Sequence, residues 1–457
     1  MTDGEKGALA ADAPAHGGAA LSPHRACAWL NDDRPLLEDA GAERVVGPAA
    51  AAQLRALAHR TLRANWREGR RRGGGEPYAF TCPAPPRYRH QWHWDSCFHA
   101  IAWRRFQPAR AREELRTVLR AGRPDGFLPH TVFWDRPARW RRTPLYATAR
   151  TRGDWVTESI GPPLVAFAWE LVAAASPDDP AFATEALPAL EAHLDWLARE
   201  RDLDGDGLLT ILAPDESGLD DSPKYDPVFG ALCHDRPGYF WLMERSRRLG
   251  WRASAVVARY AEHVEDVWVN VAYALSCAAL GRLRGEDPDD GRYTTRAART
   301  AAALVERCWS EGHGLFLDLA GPEERRVPVS TWSALSPLCL GELVPAHLRE
   351  RLVVEHLADL RRYAAPVGIP SVAMDEPAFR PGFDRFRTWR GPSWVNTAWL
   401  LLPPLARLGH ADLTRRIAAG LTRAALREGL REYYHPRTGQ GLGARGFGWS
   451  SLVVDLL

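Results

Sequence analysis

Four clusters in this sequence hold residue types that could do chemistry. Residues 88–103 read YRHQWHWDSCFHAIAW, which sets Asp95 beside Trp92 and Trp94, close to Tyr88 and Gln91. An aspartate there either caps a helix start or grips a pair of hydroxyls at the mouth of a cavity. Residues 202–226 read DLDGDGLLTILAPDESGLDDSPKYD, where Glu216, Asp220 and Asp221 crowd a Gly-bearing loop. Packed like charges raise one another's pKa, which suits a general acid that must stay protonated near neutral pH; a solvated acidic loop is the plainer alternative. Residues 388–399, TWRGPSWVNTAW, set Arg390 between Trp389 and Trp394 before a Gly-Pro turn. Residues 431–451, REYYHPRTGQGLGARGFGWSS, carry Glu432, Gln440 and Trp449 around a Gly-rich stretch, with Glu432 readable either as a catalytic carboxylate or as a surface helix residue.

Of the 19 tryptophans, Trp92, Trp94, Trp389, Trp394 and Trp449 fall in these clusters, while isolated ones such as Trp196 and Trp241 read as core. Flat aromatic faces beside fixed hydrogen-bonding side chains suit sugars, whose C–H faces stack and whose hydroxyls need partners. Metal and nucleotide readings fit less well. The histidines His90, His93 and His99 run from a loop into a helix with no carboxylate cluster following. Asp202, Asp204 and Asp206 with Gly207 match the front of a calcium loop, but Ala213 occupies the twelfth position where a bidentate Glu is expected, so a polar turn is predicted. The glycines near Glu432 have no following Lys and no preceding strand, so they make no phosphate loop. No metal and no cofactor are expected.

Apolar positions spaced three and four apart predict about a dozen helices, over 49–67, 95–106, 108–121, 159–175, 181–199, 236–249, 254–282, 293–309, 329–341, 346–363, 393–408, 411–430 and 447–457. Little period-two alternation appears, so an all-α fold is predicted. Residues 1–24 carry almost nothing to bury and read as a disordered tail; 25–457 read as one domain. With 59 basic and 57 acidic residues the charges nearly cancel, which gives no reason to expect nucleic acid or an anionic membrane as partner. No apolar run reaches membrane-spanning length and the N-terminus has no apolar signal core, so a cytoplasmic protein is expected. The seven cysteines are scattered, never in a C-x-x-C pair, and read as reduced thiols.

Taken in order and spacing, the clusters resemble glycoside hydrolase family 63, most closely its mannosylglycerate and glucosylglycerate hydrolase branch, with a more distant likeness to trehalases. The carriers are QWHWDSCFHAI, ESGLDDSP, PSVAMDEPAF with WRGPSW following, and EYYHPRTGQGLG before FGWSS. The resemblance runs from about residue 56 to 457. It implies an (α/α)6 barrel with a sugar pocket at one end and inverting hydrolysis by two carboxylates, Asp220 as general acid and Glu432 as general base. It also implies that Tyr88, Trp94 and Asp95 grip the sugar and that Trp389, Arg390 and Trp394 form another wall. Gln91, Trp92, His130, Gln440 and Trp449 are further candidate lining residues. Leu219 stands where the family commonly places Trp, Thr388 where it usually has Tyr, and TESIGPP at 157–163 replaces a usual Thr-Gln-Pro-Pro.

The expected partners are therefore a small glycoside and water, the reaction an inverting hydrolysis of a compound such as glucosylglycerate or mannosylglycerate. A trehalase-like or oligosaccharide-trimming α-glucosidase is an alternative. An epimerase on the same toroid would need catalytic histidines, for which His130 and His435 are the candidates, and a non-catalytic sugar-binding protein is the remaining class. An acidic aglycone would need an arginine; Arg390 is favoured over Arg236 and Arg445, with a structural ion pair as the equal alternative for Arg390.

Overall fold

The computed structural model describes residues 45–71, 75–134, 155–230 and 236–457, so the predicted tail at 1–24 lies outside the described residues. The long helices are α1 (Pro48–Asn65), α2 (His93–Trp103), α3 (Pro108–Arg120), α4 (Val165–Ala174), α5 (Leu187–Arg201), α6 (Arg236–Arg248), α7 (Val267–Arg284), α8 (Arg292–Ala303), α9 (Val395–Arg407) and α10 (Ala411–Glu428). Two kinds of sequence make them. In α3 and α10 the buried residues fall on one stripe, Ala111, Leu115 and Val118 in the first and Leu413, Ile417, Leu421 and Ala424 in the second, as a helix with one wet face requires. Residues 165–172 of α4 and 267–281 of α7 are buried all round, the pattern of helices enclosed by others.

The contacts sort the helices into two layers. The buried segments α2, α4, α7, the 3₁₀ segment Trp332–Leu343, α9 and the 3₁₀ segment Gly448–Leu456 each pack on the next, and the last packs on α2, closing a helical ring. Outside it, α1 lies on Gly448–Leu456, α3 on α2, α5 and α8 on α7, and α10 on α9. One hydrophobic cluster runs through both layers, from Leu54 to Leu456. Each large aliphatic side chain it buries contributes about 1.5–3 kcal/mol relative to exposure.

Three expectations need correcting. The helices expected over 329–341 and 447–457 are 3₁₀ segments; in the first, Pro337 withholds an N–H and Gly341 turns left-handed at φ 55°. The stretch expected as one helix over 254–282 is a short helix, Ala253–Val257, a strand and then α7. Short strands escaped the periodicity because most hold two residues. They are β1 (Trp66–Arg70), β2 (Pro77–Thr81), β3 (Gln91–Trp92), β4 (Thr131–Val132), β5 (Thr210–Ile211), β6 (Val264–Glu265), β7 (Trp309–Ser310), β8 (Leu315–Phe316), β9 (Leu319–Ala320), β10 (Arg325–Arg326), β11 (Arg431–Tyr434) and β12 (Gly441–Arg445). They pair antiparallel as β1–β2, β3–β4, β7–β8 and β11–β12, and as one sheet in the order β10-β9-β6-β5.

Candidate active site

The candidate residues meet where ring segments begin. Trp94 and Asp95 lie in the first turn of α2, Trp394 immediately precedes α9, and Trp449 opens the 3₁₀ segment Gly448–Leu456. Helix α2 starts at His93 after Trp92, so Asp95 is its third residue, within the first turn, and is not the cap. The rings form one aromatic wall. Trp389 stacks flat on Trp394 at 3.9 Å between centroids, Trp94 stands edge-on to Trp449 at 5.2 Å, and Trp394 meets Trp449 at 5.6 Å and Tyr433 at 4.6 Å. Tyr88 joins through Trp92 at 5.9 Å and Phe447 at 5.8 Å.

Glu432 belongs to this wall. It lies on strand β11, 4% exposed, which overturns the surface-helix alternative. Tyr88 Oη donates to its Oε1 at 2.9 Å, the Ala444 N–H on β12 donates to its Oε2 at 2.7 Å, and the Arg87 guanidinium stands 3.9 Å from that oxygen. Burial raises its pKa, and the Ala444 N–H, the Tyr88 hydroxyl and Arg87 oppose the rise.

Asp220 comes from a loop that its neighbours hold rigid. Glu216 accepts both Arg201 guanidinium nitrogens at 2.8 and 2.7 Å, and the Ile160 and Leu212 N–H groups at 3.1 and 2.7 Å. Asp221 accepts the Trp389 N–H at 2.8 Å. Lys224 is buried against Asp266 at 2.6 Å and Ser333 at 2.8 Å, and Tyr225 Oη donates to the same Asp266 at 2.6 Å. Gly218 makes the turn between them at φ 69°, and a Cβ there would lie 2.6 Å from the Trp94 ring. Among Asp215, Glu216, Asp220 and Asp221, Asp220 alone is exposed; the other three are buried. It is accessible yet walled by protein, and desolvation first, with Glu432 adding to it, pushes its carboxyl up to about 6. Asp95 feels the same surroundings: burial, then Asp220 and Glu432, drive its pKa well above the ordinary range.

Several candidates turn out to be committed elsewhere. Arg390 donates to both oxygens of Asp226, at 2.8 and 2.5 Å, and is 5% exposed, so the ion-pair alternative is the arrangement present. The Gln91 amide donates to Ser96 at 3.1 Å and accepts from Trp134 Nε1 at 2.6 Å, a framework role between β3 and the segment after β4. Gln440 is exposed at the turn of the β11–β12 hairpin, and Arg445 is exposed on β12. The Arg236 side chain lies outside the described residues. His130 is buried, and desolvation lowers its pKa to about 4. The His435 ring accepts the backbone N–H groups of Arg437 and Thr438, and its pKa is lowered, by burial first. Neither histidine is poised as a charged acid and base pair. Sequence reasoning missed Arg201, Arg87 and Lys224; the last had a signal, since Lys6 and Lys224 are the only lysines.

A helical ring that sets an aromatic wall beside two acids, Asp220 on a loop and Glu432 on strand β11, is the arrangement of a carbohydrate-active enzyme. The model of the mannosylglycerate hydrolase MGH1-like glycoside hydrolase domain matches residues 88–450, and the chain belongs to this group of glycoside hydrolase family 63. It is 32% identical over 411 residues to the mannosylglycerate hydrolase of Thermus thermophilus, covering 82% of this chain and 96% of that one. To the glucosylglycerate hydrolase of Mycolicibacterium hassiacum it is 28% identical over 432 residues, covering 83% and 94%. The crystal structure of the Thermus thermophilus family 63 mannosylglycerate hydrolase in complex with Tris and D-glycerate superposes with a TM-score of 0.76 at 29% identity, covering 88% of this chain and 99% of that one. A yeast neutral trehalase, 15% identical with a TM-score of 0.56, shares the helical-toroid fold. The protein is a glycoside hydrolase.

Proposed function

We infer that the protein hydrolyses a small α-glycoside of a hydroxy acid, glucosylglycerate or mannosylglycerate, with inversion at the anomeric carbon. The observation that carries the reading is the contrast between the two carboxyls. Asp220, the exposed member of its loop's acid cluster, is pushed up to about 6, while Glu432 is held between a tyrosine hydroxyl, a backbone N–H and an arginine that favour its charged form. Asp220 is the acid that protonates the leaving oxygen, and Glu432 the base that takes a proton from the attacking water. Two carboxyls about 6.5–9.5 Å apart leave room for that water on the opposite face of the sugar. Tyr88 and Trp92 offer half-buried stacking faces, the buried rings of Trp94, Trp389, Trp394 and Trp449 form the wall they belong to, and Asp95 is a hydroxyl partner. Arg390 supports the wall through Asp226, so recognition of an acidic aglycone falls to other groups.

The ring of six segments with helices packed outside it supports an (α/α)6 barrel, and the core continuous from Leu54 to Leu456 supports one catalytic domain, whose expected start at residue 25 lies outside the described residues. No helix among the described residues is long and apolar enough to cross a membrane, which fits the cytoplasmic placement proposed with this function. The test is a panel of α-glycosides, glucosylglycerate, mannosylglycerate, trehalose and nitrophenyl glucoside, with NMR of the freed sugar before mutarotation. The acidic glycosides are expected to be preferred and the β-anomer to appear first. A retained anomer would replace inversion by a nucleophilic carboxylate about 5 Å from its partner, and preference for trehalose would move the protein to the trehalase-like class.

A further inference from the structure

Lys6 and Lys224 are the only lysines among 59 basic residues, so a buried lysine in this chain marks a position that arginine does not fill. Lys224 is 1% exposed and lies on the 3₁₀ turn Pro223–Tyr225, shortly after Asp220. Its ammonium has three protons and finds three acceptors: Asp266 Oδ2 at 2.6 Å, Ser333 Oγ at 2.8 Å and Asp318 Oδ1 at 3.3 Å. The same three side chains accept the first N–H groups of α7. The Val267 N–H donates to Asp318 at 2.7 Å, the Trp268 N–H to Ser333 at 3.2 Å and the Val269 N–H to Asp266 at 3.0 Å. A helix N-terminus favours the two carboxylates and repels a lone cation, so Lys224 is held there by bonding both. The acid loop is thereby tied to α7, to the 3₁₀ segment Trp332–Leu343 and to the link between β8 and β9.

We propose that Lys224 is a positioning residue for the general acid, a role that rests on the reading of Asp220 as that acid. The Asp220 carboxyl is exposed and bonds its own backbone N–H, so its aim is set by the loop that carries it. Beyond Asp220 the chain is pinned twice. The Trp389 N–H holds Asp221, and the three acceptors hold Lys224, with Tyr225 Oη donating to Asp266 beside it at 2.6 Å. An ammonium points its three protons along tetrahedral directions, whereas a guanidinium presents a flat fork. Three acceptors on three separate elements fit the ammonium. A misplacement of about 1 Å at a reacting group costs about 10²-fold in rate, so Lys224 governs proton delivery without touching the substrate.

Leaving-group dependence separates this role from general support of the fold. An α-glycosyl fluoride departs as fluoride and needs little protonation, while the leaving alkoxide of a glycerate glycoside needs the acid. The test measures kcat and KM for the full-length wild type, Asp220→Asn, Lys224→Met and Lys224→Arg. The substrates are whichever of glucosylglycerate and mannosylglycerate the wild type cleaves, and the α-fluoride of the same sugar. Both Lys224 variants are expected to lose about 10²-fold in kcat on the glycoside, with KM within about threefold, and less than about tenfold in kcat on the fluoride. Lys224→Met combined with Asp318→Asn keeps the buried charge balanced and is expected to show the same split, which carries the test if Lys224→Met alone does not fold. Equal loss on both substrates in Asp220→Asn overturns the reading of Asp220 as the acid and the proposal with it. With the split present in Asp220→Asn, equal loss on both substrates in the Lys224 variants, or wild-type kcat in them, overturns the proposal alone. Wild-type kcat in Lys224→Arg only overturns the requirement for an ammonium.

Discussion

Asp220 and Glu432 must differ in protonation for the proposed reaction, and their surroundings set that difference. Burial pushes the Asp220 carboxyl up to about 6, and hydrolysis requires it protonated, so kcat/KM is expected to fall as pH rises through that region. Glu432 must be ionised, so activity also falls on the acid side as it takes up a proton. The Tyr88 hydroxyl favours the ionised form, so Tyr88→Phe is expected to move the acid limb of kcat/KM to higher pH while leaving the alkaline limb in place. A pH–rate profile in which neither limb moves would remove Tyr88 from that role. Asp220→Asn and Glu432→Gln are each expected to lose about 10²- to 10⁴-fold in kcat with the fold intact by circular dichroism. Near-normal turnover in either variant overturns its assignment. Arg390 belongs to a different argument. Because both its terminal nitrogens bind Asp226, Arg390→Met is expected to reduce activity on acidic and neutral glycosides alike. A loss confined to the acidic substrate would show that the guanidinium reaches the aglycone.

At the scale of elements, the loop from Pro214 to Asp226 behaves as a rigid bracket. Glu216 and Arg201 are both buried and doubly bonded, so removing one partner strands the other's charge, at a cost of about 3–5 kcal/mol. Glu216→Ala is therefore expected to lower the midpoint of denaturant unfolding strongly, and a change within experimental error would mean that water or another donor replaces the carboxylate. The bracket also explains what the sequence could reveal. The helices were legible because α3 and α10 carry their apolar residues on one stripe, a local property. Asp220 and Glu432 were legible because motif residues flank them. The partners Arg201 to Glu216 and Lys224 to Asp266 bridge 15 and 42 positions, and no local pattern encodes them. Arg390 shows the limit most directly, since its neighbours Trp389 and Trp394 suggested a pocket while its partner Asp226 lies 164 positions away. The two-residue strands were invisible for the same reason, because a pairing of that length leaves no periodicity to read.

Across the whole molecule, the ring concentrates acids on its site-bearing face, and that carries a cost that pH controls. Asp215 and Asp221 are both pushed up to about 8, by burial first; Glu216 and Asp220 add to the rise at Asp215, and Asp220 adds at Asp221. An acid whose folded pKa lies above its unfolded value holds its proton more tightly when folded. The stabilisation from that proton is complete below the unfolded value of about 4 and is lost as pH rises toward 8. These two aspartates therefore make the protein less stable at pH 9 than at pH 5, the reverse of what a salt-bridged carboxylate does. Asp215→Asn isolates the effect, because the amide keeps the volume and removes the titration. Asp215 Oδ1 has no hydrogen-bond partner, and the Tyr239 hydroxyl that bonds the carboxyl can donate to the amide oxygen in its place. The variant is expected to melt close to the wild type at pH 5 and measurably higher at pH 9, flattening the curve of melting temperature against pH. Parallel curves for the two proteins would mean that Asp215 titrates near its unfolded value, with water reaching a carboxyl that the fold encloses.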